Sequence, residues 1–292
     1  MIDGKKIAEK MLEALKSEAQ FLNQKNKRPI RLVAVCVGVN QSVKKFLEIK
    51  KKAVERIGID FRLYEFDETI TTAKLRKELA MIVKASVNNG ILIELPLPEH
   101  LNTQYILNSI PVERDVDVLS QRAQGAFFVG RSPILPPAVE ALKQILFSVI
   151  PSQTEPGQAD KILDDFLKKQ TIVIFGFGLL VGKPIAHWLT GKQATVTIIQ
   201  EFTKNPDKYS LEADIIISAV GRPNLITGDM VKDDAIVIDF GFNNYTDKIV
   251  GDVDFESVLK KTEMITPVPG GVGPVVVASV LKNLIVLNKL SL

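Results

Sequence analysis

The chain has 292 residues, of which 46% are hydrophobic and 24% are charged. That length suits two domains of ordinary size, and the composition is typical of a soluble globular protein. The 37 basic and 34 acidic residues give a net charge of +3, which provides no electrostatic footprint for nucleic acid. We therefore expect no nucleic-acid partner.

The amino terminus and the single cysteine bear on location. Residues 1–6 (MIDGKK) contain no apolar signal core, and no apolar stretch approaches the ~20 residues needed to span a bilayer. Cys36 can form no internal disulfide, which fits a reducing compartment, and its apolar neighbours favour a small buried hydrophobe. We expect a cytoplasmic protein with no membrane contact.

Strand-like and helix-like segments alternate through the front half of the chain. Asp3 is placed to cap a first helix whose apolar positions include Ile7, Met11 and Leu15. The patterns then predict strands at residues 32–37, 59–66 and 90–95, and helices at residues 43–57 and 72–87. This βαβαβ order predicts a parallel sheet with helices on its faces.

A polar stretch separates the two halves of the chain. Residues 151–157 (PSQTEPG) are rich in turn formers and lie between predicted helices at residues 138–149 and 159–169. We interpret this stretch as a surface loop close to a domain junction.

A second α/β series begins at residue 171. Strands are predicted at residues 172–175, 194–199, 215–217 and 235–240, and helices at residues 182–189 and 274–287. The expected fold class is therefore α/β with two domains. The first is an amino-terminal α/β domain, and the second is a Rossmann-type, doubly wound dinucleotide-binding domain.

A glycine-rich loop lies between the first strand and the first helix of that second series. In residues 176–182 (GFGLLVG), glycines let the backbone turn tightly and approach a pyrophosphate at a helix amino terminus. The spacing is one residue longer than the common fingerprint, so a glycine-rich structural turn explains the loop alone nearly as well. The flanking strand and helix favour a dinucleotide site.

An acidic residue follows the next predicted strand, about 20 residues past the glycine loop. A carboxylate at this place accepts hydrogen bonds from the ribose 2′-hydroxyl and repels a 2′-phosphate. Glu201 therefore favours NAD over NADP, although an exposed loop carboxylate explains it equally well. Residues 219–223 (AVGRP) end another predicted strand and are expected to face the cofactor.

Five segments, taken in order, are similar to one family. They lie at residues 3–8 (DGKKIA), 90–98 (GILIELPLP), 115–117 (DVD), 181–184 (VGKP) and 266–274 (TPVPGGVGP). Their order and spacing resemble the bifunctional methylenetetrahydrofolate dehydrogenase/cyclohydrolase family, often called the FolD family, along the whole chain. The last segment is highly specific, because chance rarely gives that run after a βαβ series.

The resemblance implies a folate domain at residues 1–138, a Rossmann domain at residues 139–273, and a last helix at residues 274–292 that returns to the first domain. It implies a cleft between the domains that holds folate and nicotinamide. Hydride then passes from 5,10-methylenetetrahydrofolate to the nicotinamide, and the methenyl product is hydrolysed to 10-formyltetrahydrofolate. The implied partners are tetrahydrofolate derivatives and, as is usual in the family, a second copy in a homodimer.

The resemblance also assigns catalytic residues, two of which are altered here. The family's lysine for the cyclohydrolase step matches Lys50, its tyrosine four residues earlier is Phe46, and its glutamine is Glu94. Positions four apart lie on one helical face, and a lysine that loses its proton in a dry cleft can activate water. A carboxylate at position 94 favours the charged ammonium, so we expect slow or alkaline-shifted hydrolysis. Read without the family, Lys50 is one of several surface lysines.

An aspartate pattern similar to that of the family carries the implied pterin site. Asp117 matches the second aspartate of the family's D-V-D-G, and a carboxylate can accept two N–H bonds from the pterin's amino-pyrimidine edge. A loop carboxylate that caps a turn is the alternative. Val118 replaces the glycine that follows and is expected to crowd the loop. The other expected substrate-binding residues are Asp115, Leu95, Pro96, Gly270 and Gly271.

The residues expected to bind the cofactor lie in the glycine loop and after the next predicted strands. They are Gly176, Phe177, Gly178, Val181, Gly182, Glu201, Gly221 and Pro223. Phe177 and Gly178 stand where the family has arginine and serine, and residues 200–203 (QEFT) replace its H-S-R-T. Both arginines of the expected 2′-phosphate clamp are thus lost. NAD is the expected cofactor, and the family resemblance leaves NADP open.

Further departures from the family occur at residues 133–138 (PILPPA) and at Val276, which replaces a threonine. Neither His100 nor His187 has partners at metal-ligand spacing, so we expect no metal. One hypothesis is an active, NAD-preferring dehydrogenase with weak or altered cyclohydrolase activity. A second is a folate- or dinucleotide-binding protein that has lost its chemistry. The third, an unrelated hydroxy-acid or amino-acid dehydrogenase, explains only the Rossmann half.

Overall fold

A computed structural model describes residues 1–38, 41–150, 157–245 and 248–291, with the side chains of residues 41–46 and 245 excluded. Residues 151–156 of the predicted surface loop therefore lie outside the described residues. The chain divides into two compact units. The front unit comprises Glu9–Pro137 and Val277–Leu292, and the back unit comprises Met1–Ala8 and Ala138–Val276. The functional domain boundaries at residues 138 and 274 stay a prediction.

The elements of the first half follow the predicted alternation, with short helices added after the third strand. They are α1 (Gly4–Asn26), β1 (Arg31–Val37), α2 (Gln41–Arg56), β2 (Asp60–Phe66), α3 (Thr72–Lys84), β3 (Gly90–Ile93), α4 (Thr103–Leu107), a 3₁₀ turn (Val112–Arg114) and α5 (Gln121–Phe128). Asp3 caps α1, as predicted, because its carboxylate accepts a hydrogen bond from Lys6 N at 3.0 Å.

The front sheet is parallel throughout, with the strand order β2-β1-β3. Its central strand is buried from Leu32 to Val37, as its unbroken apolar run predicts. The third strand ends at Ile93, two residues before its predicted end. Glu94 N still donates to Val35 O at 2.8 Å, but Pro96 has no N–H for the next rung, so the ladder stops.

The last helix, α11 (Val272–Leu290), belongs to the front unit from Val277 onward and packs against its sheet. A Cβ on Gly90 would lie 2.5 Å from Leu284 Cδ1 and 2.7 Å from Val116 Cγ1. The absence of that Cβ lets the helix approach the edge of β3 closely. The side-chain amide of Asn283 donates to Val116 O and Leu135 O, each at 2.8 Å, so α11 also holds two loops of this unit.

The elements of the second half are mostly those of the predicted second series. They are α6 (Pro137–Val149), α7 (Ala159–Leu167), β4 (Thr171–Phe175), α8 (Gly182–Gly191), β5 (Thr195–Ile199), α9 (Pro206–Ser210), β6 (Ile215–Ser218), a 3₁₀ turn (Gly228–Met230), β7 (Ile236–Asp239), β8 (Asn243–Tyr245), β9 (Lys248–Val250) and α10 (Phe255–Leu259). The antiparallel hairpin of β8 and β9 was not predicted, because its residues are largely polar.

The back sheet is also parallel, with the strand order β5-β4-β6-β7. The chain winds to one side of β4 with β5 and to the other side with β6 and β7. This is the doubly wound arrangement, and its switch point lies between β4 and β6. Buried apolar residues from all four strands form part of one core cluster. Ligands of such sheets bind beyond the carboxyl ends of the strands at the switch point.

One described helix has the length and composition of a membrane span. α11 covers 19 residues with a mean hydropathy of 1.4 over its most apolar window. The expectation that no apolar stretch approaches this length is therefore wrong. Within the protein, 67% of that window is buried, as in the core helix of a globular domain.

Candidate active site

A partly buried ion pair lies at the carboxyl edge of the front sheet. Lys50 stands on α2, and Glu94 follows directly after β3. Lys50 Nζ lies 2.5 Å from Glu94 Oε1, and each side chain is only 12% exposed. The structure thus brings together two of the three predicted catalytic residues. Phe46 also falls within α2, but its side chain lies outside the described part of the chain.

The loop that carries Asp117 is held from within by Asp115. The Asp115 side chain is buried, and Oδ2 accepts hydrogen bonds from Ser120 N at 2.7 Å and Leu119 N at 3.1 Å. Burial raises the pKa of Asp115, and these hydrogen bonds oppose the rise. Asp115 also forms an isolated parallel bridge with Ile91 of β3. These contacts support a positioning role for Asp115, with its binding role still a prediction.

Asp117 lies close enough to the ion pair for both charges to affect its pKa. Burial raises the pKa of Asp117 to about 7, the Lys50 ammonium lowers it, and the Glu94 and Asp115 carboxylates raise it. The side chain remains partly exposed. A carboxyl that changes charge near neutral pH can accept N–H bonds from a ligand once it is ionised.

Val118, next to Asp117, has a left-handed backbone conformation. Its φ is +58°, and its side chain is buried. A β-branched residue rarely adopts this conformation, which glycine adopts without strain. The crowding expected where the family has glycine thus takes the form of a strained backbone beside the pterin-binding candidate.

The remaining front-unit candidates differ in exposure. Leu95 is partly buried, and Pro96 is exposed and joined to Leu95 by a cis peptide bond. Cys36, on the central strand, is buried as predicted, and burial raises the pKa of its thiol to about 11, with Glu65 and Glu94 adding to the rise. A thiol of that kind is a poor nucleophile.

The glycine loop of the back unit requires glycine at both of its ends. Gly176 has a φ of +94°, and a Cβ there would lie 2.5 Å from Ala219 O. A Cβ on Gly182 would collide with Gly176 O. The loop therefore folds tightly against the end of β6, at the switch point of the sheet, where a dinucleotide pyrophosphate is expected.

The middle of the glycine loop is open. Gly178 is exposed, with no atom within 4 Å of the place its Cβ would occupy, and Phe177 is exposed beside the Lys183 ammonium, which lies 5.9 Å from its ring centroid. Val181 precedes the first residue of α8 and offers no side-chain hydrogen bond to the helix start. N–H groups at such a helix start are suited to bind phosphate.

Glu201 forms an ion pair that the sequence did not predict. It follows β5, and its Oε1 lies 2.5 Å from Nη2 of Arg222, which follows β6. Both side chains are more than half exposed. The residue expected to bind a ribose hydroxyl therefore has a cation beside it.

A buried carboxylate shapes the loop that carries Arg222. Asp252 accepts hydrogen bonds from the successive N–H groups of Val220, Gly221 and Arg222, at 2.7, 3.0 and 2.9 Å. Such a row of N–H groups forms a nest for an anion. Gly221 has a φ of +77°, and Pro223 is exposed just beyond the nest. No local sequence pattern marks Asp252, because it lies 30 residues from the loop that it binds.

Asp239 lies behind Asp252 and is also buried. Burial raises the pKa of Asp239 to about 7, hydrogen bonds from Gly241 N and Val253 N oppose the rise, and the Asp252 carboxylate adds to it. Its Oδ1 accepts from Gly241 N at 2.7 Å, and its Oδ2 accepts from Val253 N at 3.0 Å. Two carboxyl groups thus brace this end of the back sheet.

Gly270 and Gly271 belong to the back unit, where they pack on the start of α1. Lys5 N donates to Gly270 O at 3.1 Å, and Gly270 has a φ of +104°. A Cβ on Gly271 would collide with Pro267 O, and a Cβ on Gly4 would collide with Gly271 O. The highly specific TPVPGGVGP segment therefore needs glycine at position 271 for close backbone packing and at position 270 for its positive φ, and its substrate-binding role stays a prediction.

Within the described residues, no group of three or more His, Cys, Asp or Glu side chains is arranged to hold a metal ion. His100 has a structural contact, since its Nε2 lies 3.0 Å from Ile70 O.

The fold and the two sites define a class of protein: a two-unit α/β enzyme with a dinucleotide-binding type of sheet in its back unit and a lysine–carboxylate pair in its front unit. Two matches to family models agree with this class of protein. Residues 2–117 match the tetrahydrofolate dehydrogenase/cyclohydrolase catalytic domain. Residues 161–291 match the NAD(P)-binding domain of the same family.

Individual relatives cover the whole chain. The bifunctional protein FolD of a Nitratiruptor species is 36% identical over 98% of this chain and 96% of its own length. The crystal structure of the bifunctional FolD enzyme from Campylobacter jejuni is also 36% identical, with a TM-score of 0.89 and coverage of 100% and 99%. A Trypanosoma brucei enzyme, complexed with NADP cofactor and inhibitor, is 29% identical, with a TM-score of 0.88 and coverage of 100% and 97%.

The chain belongs to the tetrahydrofolate dehydrogenase/cyclohydrolase family. These comparisons confirm the expected family and the expected two-domain α/β fold. They also confirm the expected enzyme class, a methylenetetrahydrofolate dehydrogenase with a cyclohydrolase activity. Most of the match to the NAD(P)-binding domain, residues 161–276, lies in the back unit.

Proposed function

We propose that the protein oxidises 5,10-methylenetetrahydrofolate with NAD in preference to NADP, and hydrolyses the methenyl product slowly near neutral pH. The observation that carries this proposal is the partly buried Lys50–Glu94 ion pair, with Asp117 beside it. Asp117, which would bind the pterin, and Lys50, which would activate water, are both kept, but Glu94 stands beside Lys50 where the family has glutamine.

The dehydrogenase step depends mainly on positioning. Hydride leaves the methylene carbon of the folate, and the nicotinamide supplies the hydride acceptor when it is bound. Asp117 would orient the pterin by accepting N–H bonds, and the Gly176–Gly182 loop, with the start of α8, would hold the pyrophosphate. Because no protein side chain has to transfer a proton in this step, it is expected to tolerate the changes around Lys50.

The cyclohydrolase step needs a base. Water adds to the methenyl carbon and loses a proton, and the ring then opens to the 10-formyl product. An uncharged lysine can take that proton, but a lysine in contact with a buried carboxylate is stabilised as the ammonium. The contact between Lys50 and Glu94 therefore supports slow hydrolysis near neutral pH.

The choice of NAD rests on the adenosine end of the back unit. Phe177 and Phe202 stand at the two positions where the family has arginine, and both are exposed. Glu201 follows β5, where a carboxylate would accept a ribose hydroxyl and repel a 2′-phosphate. These three residues support NAD as the preferred cofactor.

The test is a cofactor-reduction assay with 5,10-methylenetetrahydrofolate, run separately with NAD and NADP, and followed by a hydrolysis assay with the methenyl substrate. Rapid reduction of NAD, slower reduction of NADP and slow hydrolysis at pH 7 are expected. Equal rates with the two cofactors would contradict the NAD preference. No reduction of either cofactor, together with measurable ligand binding, would support a binding protein that has lost its chemistry.

We also propose that the protein is a cytoplasmic homodimer, in line with the usual state of the family. Light scattering of the purified protein tests the dimer, and a monomer mass at micromolar concentration would contradict it.

A further inference from the structure

The Glu201–Arg222 ion pair has a position that the strand order makes unusual. Glu201 follows β5 and Arg222 follows β6, and these strands lie on opposite sides of β4. The pair therefore crosses the carboxyl end of β4, where the glycine loop begins at Gly176. This is the edge at which a doubly wound sheet binds its dinucleotide.

The backbone of Arg222 is held firmly, although its side chain is 57% exposed. Its N–H donates to Oδ1 of the buried Asp252 at 2.9 Å, and the two preceding N–H groups bind the same carboxylate. An anchored backbone reduces the number of places that the guanidinium can reach. The guanidinium is therefore presented toward the end of β5 rather than free over the whole surface.

The residues around the pair make Arg222 the cation in direct contact with the residue expected to exclude a 2′-phosphate. Glu201 is the carboxylate expected to exclude a 2′-phosphate, and the guanidinium, 2.5 Å away, offsets its negative charge. Phe177 and Phe202 occupy the positions of the family's arginines, and Phe202 is 92% exposed. Lys183, which approaches Phe177, is a further cation near the glycine loop.

We infer that Arg222 is a second determinant of cofactor choice, which weakens the discrimination of Glu201 against NADP and can itself bind a 2′-phosphate. This inference rests on the proposed NAD-dependent function. A guanidinium forms two hydrogen bonds with a phosphate, and these are stronger than bonds between neutral groups. The protein therefore retains measurable NADP affinity through Arg222, although both family arginines are gone.

Calorimetric titration of the full chain with NAD and with NADP, in the absence of folate, tests the inference. The quantity to compare is the Kd for NADP divided by the Kd for NAD. We expect Arg222→Gln to raise this ratio about fivefold or more, through weaker NADP binding, while Arg222→Lys retains most of the natural value. Glu201→Gln should lower this ratio about tenfold, and the double variant with Arg222→Gln should restore most of that decrease.

The control is Arg62→Gln, which removes an arginine from β2 of the front unit and should leave the ratio unchanged. If Arg222→Gln in the Glu201→Gln background changes the ratio less than about twofold, or weakens NAD and NADP equally, the inference is overturned. Should Glu201→Gln fail to fold, Arg222→Gln and Arg222→Lys give the same test in the natural background. A natural protein that prefers NADP would contradict the proposed NAD preference, yet the effect of Arg222→Gln would still be measurable.

Discussion

We expect the residue at position 94 to affect the cyclohydrolase step more than the dehydrogenase step. Glutamine and glutamate have nearly the same shape, but only glutamate adds a negative charge next to Lys50. The Lys50–Glu94 contact is part-buried, so water screens it less than a surface pair. The consequence for chemistry is therefore larger than the size of the substitution suggests.

We expect Glu94→Gln to raise the cyclohydrolase rate at pH 7 about tenfold, because the change removes the negative charge in contact with Lys50, the candidate base. The dehydrogenase rate should change less than about twofold. Rates measured from pH 6 to 10 with methenyl and methylene substrates test this. Glu99→Gln, an exposed change in the same segment, is the control, and identical pH profiles for the natural and Glu94→Gln proteins would refute the role given to Glu94.

Asp117 predicts a pH dependence of folate binding. Burial raises its pKa to about 7, so it is largely protonated at pH 6 and ionised at pH 8. The ionised form accepts the pterin N–H bonds, and the KM for 5,10-methylenetetrahydrofolate is therefore expected to fall as the pH rises from 6 to 8. In Asp117→Asn the KM should be at least about tenfold higher and nearly independent of pH. A KM of the natural protein that does not vary over this range would contradict the assignment.

The candidate residues were predictable from the sequence only to different degrees. Lys50, Glu94 and Asp117 were identified through the family pattern, since nothing local distinguishes Lys50 from the neighbouring lysines. Arg222 lies in the segment that was expected to face the cofactor, but its ion pair with Glu201 and the role of Asp252 were missed. Both depend on pairings across the sheet, over 21 and 30 residues of chain. Such pairings leave no periodicity or spacing that a single sequence displays.

The glycine loop and α8 act as one element, because the helix can begin at Gly182 only where no Cβ meets Gly176 O. We expect Gly182→Ala to shift the loop, lower the melting temperature of the protein and weaken NAD binding about tenfold or more. Calorimetry with and without NAD measures both effects.

Gly191→Ala, at the other end of α8, is the matched control. No atom lies within 4 Å of its added Cβ, and alanine favours a helix by up to about 1 kcal/mol relative to glycine. It should therefore leave stability unchanged or raise it. Equal losses in the two variants would mean that glycine is needed for flexibility rather than for space.

Elements were predictable where burial produces long, regular patterns. The predicted strands of both sheets agree with the structure to within two residues. The inner strands β1 and β4 read as apolar runs because they are buried, whereas the edge strands β2 and β5 were recognised by their alternating patterns. The short helices α4, α5, α9 and α10 were missed, since five to eight residues are too few for a helical period. Capping residues could have indicated three of them, because Asn102, Ser120 and Asp254 each accept a hydrogen bond from a backbone N–H three residues on.

For the whole molecule, two carboxyl groups with raised pKa values predict that stability falls as the pH rises. Burial raises the pKa values of Asp117 and Asp239 to about 7, from 3.8 in an exposed chain. Between about pH 4 and 7 the folded protein holds protons that the unfolded chain has released, so the free energy of unfolding is expected to fall as the pH rises. Glu9 has a lowered pKa, because of its hydrogen bond with Arg56, and acts in the opposite direction at lower pH.

Urea unfolding between pH 4 and 8 measures this response. The unfolding midpoint of the natural protein is expected to decrease from pH 5 to pH 8, and Asp117→Asn should make the decrease smaller by removing one of the groups. Asp207→Asn, an exposed change on α9, should retain the natural slope. A midpoint that does not decrease from pH 5 to pH 8 would contradict the raised pKa values of these two carboxyl groups.

The bond between Asn283 and Val116 O joins residues that are 167 positions apart. During synthesis, a ribosome has long since released the strands of the front sheet when it adds this asparagine. The loop with Asp117 cannot form its bond with Asn283 until that residue is synthesised, and all strands of the back sheet are synthesised before then. A nascent chain should therefore acquire its nucleotide-binding half before its folate-binding half is complete.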